Sequence, residues 1–388
     1  MADTIKKLTI EGFKSIRKME NFELGALNVL IGANGAGKSN FVSFFRLLRD
    51  LIQQRLQTAI AVEGGADSCL FLGPKETRQL TAKLYFGSNG YEFSLVPTND
   101  GRLVFSDEST VFYGDVTDQR ASLGSGHAEA KLKDRKTDPG RWGTASGVPR
   151  YVFDAISSWV VYHFHDTSFS SGVRRPHALN NNMVLGPNAE NLAPFLYRIR
   201  QTTEYLRIRD VVRLAAPFFD DFTLRPMPGN EEMVQLEWQQ RGSDYPFRAN
   251  QLSDGTLRFI CLATALLQRN PPPTMLFDEP ELGLHPYALT LLGNLFRQTV
   301  RSSGKSISQQ IIISTQSAPL LNEFTPEDII IVDRAHGEST FRRLNAGDLS
   351  EWLQEYTLGE LWQKNVLGGR PGNDRVQDLI PIGGNGNS

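Results

Sequence analysis

The stretch Gly32-Ala-Asn-Gly-Ala-Gly-Lys38-Ser39 constrains the fold of this chain more than any other. It follows an apolar run, Ala26-Leu-Asn-Val-Leu-Ile31, that reads as a buried strand. It precedes a segment from Phe41 to about Ala59 whose apolar residues (Phe44, Phe45, Leu47, Leu48, Leu51, Ile52, Leu56) fall at helical spacing. Strand, glycine-rich loop and helix in that order make a phosphate cradle. Glycines let the backbone curl so that successive N–H groups face one anion. The helix start adds about half a positive charge. Asn34, Gly35, Ala36, Gly37, Lys38, Ser39 and Asn40 are therefore expected to bind ATP. Lys38 is expected at the β- and γ-phosphates and the Ser39 hydroxyl at Mg²⁺.

Strand patterns surround this centre. Thr4 to Gly12 reads as a strand. From Leu80 to Ser106, short alternating strands with turns at Ser88-Asn-Gly90 and Asn99-Asp-Gly101 predict an antiparallel sheet. Gly114 to Gly147 is polar and reads as a solvated loop or lid; its Lys131-Leu-Lys-Asp-Arg-Lys136 run leaves a DNA-contacting patch as the alternative. Ile156 to His163 is a strand candidate. Asn191 to Arg213 reads as one or two helices, and Phe222–Arg225 and Val234–Gln239 as strands. In the last third, helices at Ser253–Gln268 and Pro286–Val300 alternate with apolar strands at Thr274–Phe277, Gln310–Ser314 and Asp328–Val332. Such alternation predicts a parallel α/β sheet.

Two further motifs carry chemistry. Thr274-Met-Leu-Phe-Asp278-Glu279-Pro280 is an apolar strand ending in two acids, which places Asp278 at the carboxyl edge where open α/β sheets bind ligands. Asp278 is expected to hold Mg²⁺ and Glu279 to orient and deprotonate the attacking water. Acids at a strand end also serve as plain turn formers. Gln251-Leu-Ser253-Asp-Gly255-Thr-Leu-Arg258 opens a helix with Ser253 as N-cap; a second phosphate contact at that helix start is the functional reading.

Phosphate loop, Leu-Ser-Asp-Gly-Thr and Asp278-Glu-Pro-Glu-Leu-Gly-Leu-His-Pro286, in that order, resemble the ABC-type ATPase heads of the RecF, SMC and OLD group. Phe13-Lys14-Ser15 is similar to the start of those heads, and Gln310-Ile-Ile-Ile-Ser-Thr-Gln316-Ser to their switch region. Leu358 to Pro371 looks like the end of the stand-alone bacterial RecF-like AAA ATPases. The fold class this implies is α/β: a P-loop NTPase head with a mixed parallel sheet, an antiparallel N-terminal sheet and an inserted α+β/helical lobe. The expected division is 1–110 and 246–371 for the head, 111–245 for the lobe and 372–388 for a flexible tail.

The resemblance also implies a head-to-tail homodimer with ATP at the joint. Ser253 and Gly255 of one subunit would contact the γ-phosphate held by Lys38 of the other, and Glu281 to Leu284 would cross the seam. Lys14 is carried over as a nucleotide contact and Gln79 as the metal-contacting glutamine. The switch position, usually histidine, is Gln316 here; glutamine hydrogen-bonds but carries no charge, so hydrolysis is expected to be slow or gated by a partner.

The remaining features bound the function. His163-Phe-His165-Asp166 puts both histidines on one strand face; a metal site and a structural hydrogen-bonding role are both open, with Asp166 pointing away. Arg174-Arg175 reads as surface charge, with a phosphate or acidic-partner contact as the alternative. Net charge is -2, so the chain is not a polycation built to coat nucleic acid. The two cysteines, Cys69 and Cys261, make no disulfide framework. An N-terminus without an apolar signal region, and no apolar run near the roughly 18 residues of a membrane span, lead to a cytoplasmic expectation with no membrane. The functional expectation is a switch ATPase of DNA repair or anti-phage defence that acts on DNA or on a separate effector such as a nuclease. The alternatives are an ABC-transporter ATPase subunit, from which Asp254 and Thr256 depart, and a nucleotide-sensing scaffold with little hydrolysis.

Overall fold

Two six-stranded sheets enclose the helix that follows the glycine-rich loop. The computed structural model describes residues 4–114, 118–137, 147–301 and 309–368 of the protein; the expected tail, 372–388, lies outside them. The first sheet is antiparallel throughout, in the order Ile16–Glu23, Lys7–Phe13, Leu80–Phe86, Asn89–Pro97, Leu103–Phe112, Gln119–Gly124. The second runs Glu338–Arg343, Ile329–Ala335, Leu27–Ile31, Gln310–Thr315, Thr274–Asp278, Val160–Tyr162. It is parallel except for its Glu338–Arg343 edge.

The central strands of the second sheet, Leu27–Ile31 and Gln310–Thr315, are buried on both faces, which explains their continuous apolar runs. Leu30, Leu276, Ile312 and Ile330 point into the core shared with helix Lys38–Ile52 and the antiparallel sheet. Val29, Met275, Phe277, Ile311 and Ile313 point the other way, onto helices Asp254–Leu267 and Pro286–Arg301. The strand period of two thus sorts one set of strands into two cores. Helix Lys38–Ile52 contributes Phe41, Phe44, Phe45, Leu48 and Leu51, each with no exposed surface.

Three sequence expectations are corrected. The Ile16–Glu23 strand was not expected; it is an edge strand with exposed Arg17, Lys18, Glu20 and Asn21, so its apolar signal is thin. The helix expected to run to Ala59 stops at Ile52, where Gln54 turns into the left-handed region (φ 60°), and resumes as Leu56–Val62. Part of the expected loop from 114 to 147 is ordered secondary structure: Gln119–Gly124 completes the antiparallel sheet, and Leu132–Arg135 is a short helix. The carboxyl of fully buried Glu108 accepts the N–H groups of Lys131 (2.9 Å) and Leu132 (3.3 Å), which ties the basic run to the sheet.

The segment 111–245 supplies strands to both large sheets before it forms its own small ones. Those are Phe219–Thr223 and Glu237–Gln240, joined in one sheet by Pro246–Arg248 from just beyond the segment, and Pro226–Met227, Asn230–Val234 and His177–Ala178 in another. Helices Leu192–Ile199 and Thr203–Ala215 accompany them. Among the described residues no helix is long and apolar enough to cross a membrane.

Candidate functional site

The glycine-rich loop sits where the Leu27–Ile31 strand gives way to the Lys38–Ile52 helix. Gly35 and Gly37 adopt left-handed φ values of 78° and 114°, which costs glycine little. At Gly37 a side chain would also collide with the hydroxyls of Ser339 and Ser15. Those hydroxyls bond each other at 2.7 Å. Ser339 Oγ donates to the Ala36 carbonyl at 2.5 Å, and Asn40 Nδ2 donates to Ser15 Oγ at 2.6 Å. Arg334 donates to the Gly35 carbonyl at 2.9 Å. The loop is therefore braced from the Glu338–Arg343 edge, a support that sequence spacing does not reveal.

Lys38 is buried, and its ammonium donates to the carbonyls of Gly32 (2.7 Å) and Ala33 (3.0 Å). Burial lowers its pKa, against the raising pull of Glu279, Glu281 and Asp278. Ser39 is exposed at the helix start. This donor set (loop N–H groups, one ammonium, one hydroxyl and a helix N-terminus) fits a polyphosphate with its metal ion.

Asp278 ends its strand beside Ser314, whose hydroxyl donates to Asp278 Oδ1. The pairing Asp278↔Ser314 places the two acids next to the strand that leads into the switch region. Glu279 then leaves the sheet with a left-handed φ of 43°. For a residue with a Cβ that conformation costs about 1–2 kcal/mol, and the Glu279 N–H bond to the Ser314 carbonyl (2.9 Å) helps hold it. The Gln316 amide donates to Glu279 Oε1. Glu281 Oε1 accepts from Thr315 Oγ1 at 2.7 Å and from the Gln316 N–H at 2.8 Å. Its other oxygen is buried without a partner. Burial pushes the Glu281 carboxyl above its ordinary value, partly countered by these hydrogen bonds.

Arg46 lies two helical turns beyond Ser39 and reaches the same edge, 3.8 Å from Asp278 Oδ2 and 3.3 Å from His163 Nδ1. His163 stays neutral down to about 4, through burial and the adjacent Arg46, with Asp278 opposing.

Ser253 and Gly255 lie elsewhere in the same chain. They line a cleft of about 100 Å³ with Gly283, Leu284 and His285. Ser253 caps its helix by accepting the Thr256 N–H at 3.2 Å. Gly255 packs so closely on the Gly283 carbonyl that a Cβ there would collide with it. Arg174, read from sequence as surface charge, is 5% exposed. It donates to the carbonyls of Ala249 and Leu252 and pairs with Asp254 at 2.7 Å, so it fixes the start of that helix. Lys14, at a left-handed turn, pairs with Glu63 at 2.7 Å. Gln79 is exposed and donates to Thr81 Oγ1 at 3.0 Å; no bond joins it to Ser39 or Asp278.

A family model described as "AAA domain, putative AbiEii toxin, Type IV TA system" matches residues 27–322. No curated protein matches the chain in sequence. Among solved structures, the chain is similar to an SmcHead bound to the C-winged helix domain of ScpA, with a TM-score of 0.56 at 16% identity over 89% of this chain and 99% of that one. It is also similar to an Smc head domain with an extended coiled coil, bound to the C-terminal domain of ScpA and derived from Pyrococcus furiosus. That match has a TM-score of 0.51 at 17% identity over 91% of this chain and 99% of the other. A Pyrococcus yayanosii Smc head with coiled coil and joint matches at 0.51 and 14% identity, over 91% and 99%. These likenesses establish the fold as that of the Smc head domains.

Proposed function

The chain belongs to the AAA-domain family described as putative AbiEii toxin, Type IV TA system, and from that premise we propose that it is a switch ATPase that closes a homodimer around ATP. One observation carries the reading. Lys38, Asp278, Glu279 and Gln316 converge at the braced glycine loop, while Ser253 and Gly255 form a separate cleft in the same chain. A nucleotide held by the first group can meet the second group of another copy.

Lys38 and the loop N–H groups would hold the β- and γ-phosphates, Asn34 to Asn40 lining the cradle. Ser39 and Asp278 would hold Mg²⁺, with Gln79 the carried-over third contact. Bound there, Mg²⁺ would neutralise phosphate charge. Glu279 would take the proton of the attacking water at a carboxylate oxygen. The Gln316 amide occupies Glu279 Oε1, so that oxygen is not free to accept a proton from water. Water activation therefore waits until Gln316 turns away, and turnover is slow or gated by a partner. Lys14 would contact the nucleotide only after release from Glu63.

The output of the switch would pass to DNA or to a separate effector such as a nuclease, in DNA repair or anti-phage defence; the family's description as a putative toxin of a Type IV TA system supports the second of these. Phosphate release from ATP tests the enzymatic part: we expect slow turnover that is lost in Lys38→Ala, and turnover unchanged in Lys38→Ala would contradict it.

A further inference from the structure

The pairing register of one edge strand creates a cluster that neither motif predicts. Val160–Tyr162 runs parallel to Met275–Phe277, with Tyr162 beside Phe277. The next step along each strand brings residue 163 beside Asp278. Beyond the end of the shorter strand at Tyr162, the chain keeps the rings of His163 and His165 together, 6.0 Å apart. One ligand atom from each of His163, His165 and Asp278 lies within 4.8 Å of the other two.

The backbone around these side chains is pinned. Buried Arg258 donates to the carbonyls of Phe164 (2.8 Å) and His165 (3.0 Å) and to that of Leu282. The His163 N–H donates to the Pro187 carbonyl at 2.9 Å.

We propose that His163, His165 and Asp278 form a binding site for a divalent transition-metal ion of the zinc, cobalt or nickel type. Two imidazoles and one carboxylate suit such ions, whereas Mg²⁺ favours oxygen ligands and water. Metal–ligand bonds of about 2.1 Å require ligand atoms within about 4.2 Å of one another. A rotation of the exposed His165 side chain supplies the contraction. Arg46 stands at the same place, near both His163 Nδ1 and Asp278 Oδ2. Its guanidinium is the resident cation, and with 42% of the side chain exposed it withdraws into solvent when the metal enters. The site shares Asp278 with the proposed nucleotide site but does not rest on that reading.

Cobalt titration of the untagged, nucleotide-free chain tests the proposal. The expected result is a visible d–d absorption band that saturates at one ion per chain. His165→Ala, at an exposed position, should weaken binding at least about tenfold, as should His163→Gln. Arg46→Gln should bind cobalt more tightly than the unmodified chain. Absence of the band, a band undiminished in both histidine variants, or an affinity not raised in Arg46→Gln overturns it.

Discussion

The Gln316 side-chain amide donates to Glu279 Oε1, so the switch residue and the proposed general base are in direct contact. Gln316→Glu would replace a donor by a like charge of similar shape. A second carboxylate there would repel the first and remove the amide that now holds it. The acidic limb of the kcat–pH profile should move to higher pH while ATP affinity holds. A limb that stays in place would count against Glu279 as the base.

Glu281 yields a pH prediction. Its folded-state pKa lies above the ordinary value of 4.5 because the carboxyl is buried. The folded chain therefore holds this proton more tightly than the unfolded chain. The resulting stability is complete below pH 4.5 and is lost as pH rises through the folded value. Glu281→Gln keeps an acceptor for Thr315 and Gln316 and removes the titration. Urea denaturation across pH 4 to 8 should show a smaller decline for the variant than for the parent; identical slopes would refute the assignment.

Gly255 approaches the Gly283 carbonyl too closely for any side chain. Gly255→Ala should push apart the start of helix Asp254–Leu267 and the loop after Glu281, at a cost of about 1–3 kcal/mol. It should also remove ATP-dependent association. A melting temperature and dimerisation equal to the parent's would show that the contact is slack.

What was legible in the sequence is what local backbone chemistry dictates. The glycine loop, the Ser253 cap and the apolar strand ending at Asp278 are each written in a few consecutive residues, and the two-sided burial of the parallel strands follows from their runs. What was not legible depends on pairing across long separations. Ser339 reaches the loop through its backbone bond to the Ser15 carbonyl (2.7 Å). His163 meets Asp278 only through the Tyr162↔Phe277 register. Arg174 looks like surface charge until the carbonyls of Ala249 and Leu252 close over it. The Ile16–Glu23 strand escaped because an edge strand exposes charge along much of its length.

The central claim is that ATP joins two copies of this chain. The most direct measurement is the mass of Glu279→Gln by light scattering after size exclusion, with and without Mg²⁺ and ATP. The account predicts a mass that doubles with ATP, and no change when Lys38→Ala is added to the same chain. A Glu279→Gln chain that binds ATP by calorimetry yet keeps the same mass would contradict it.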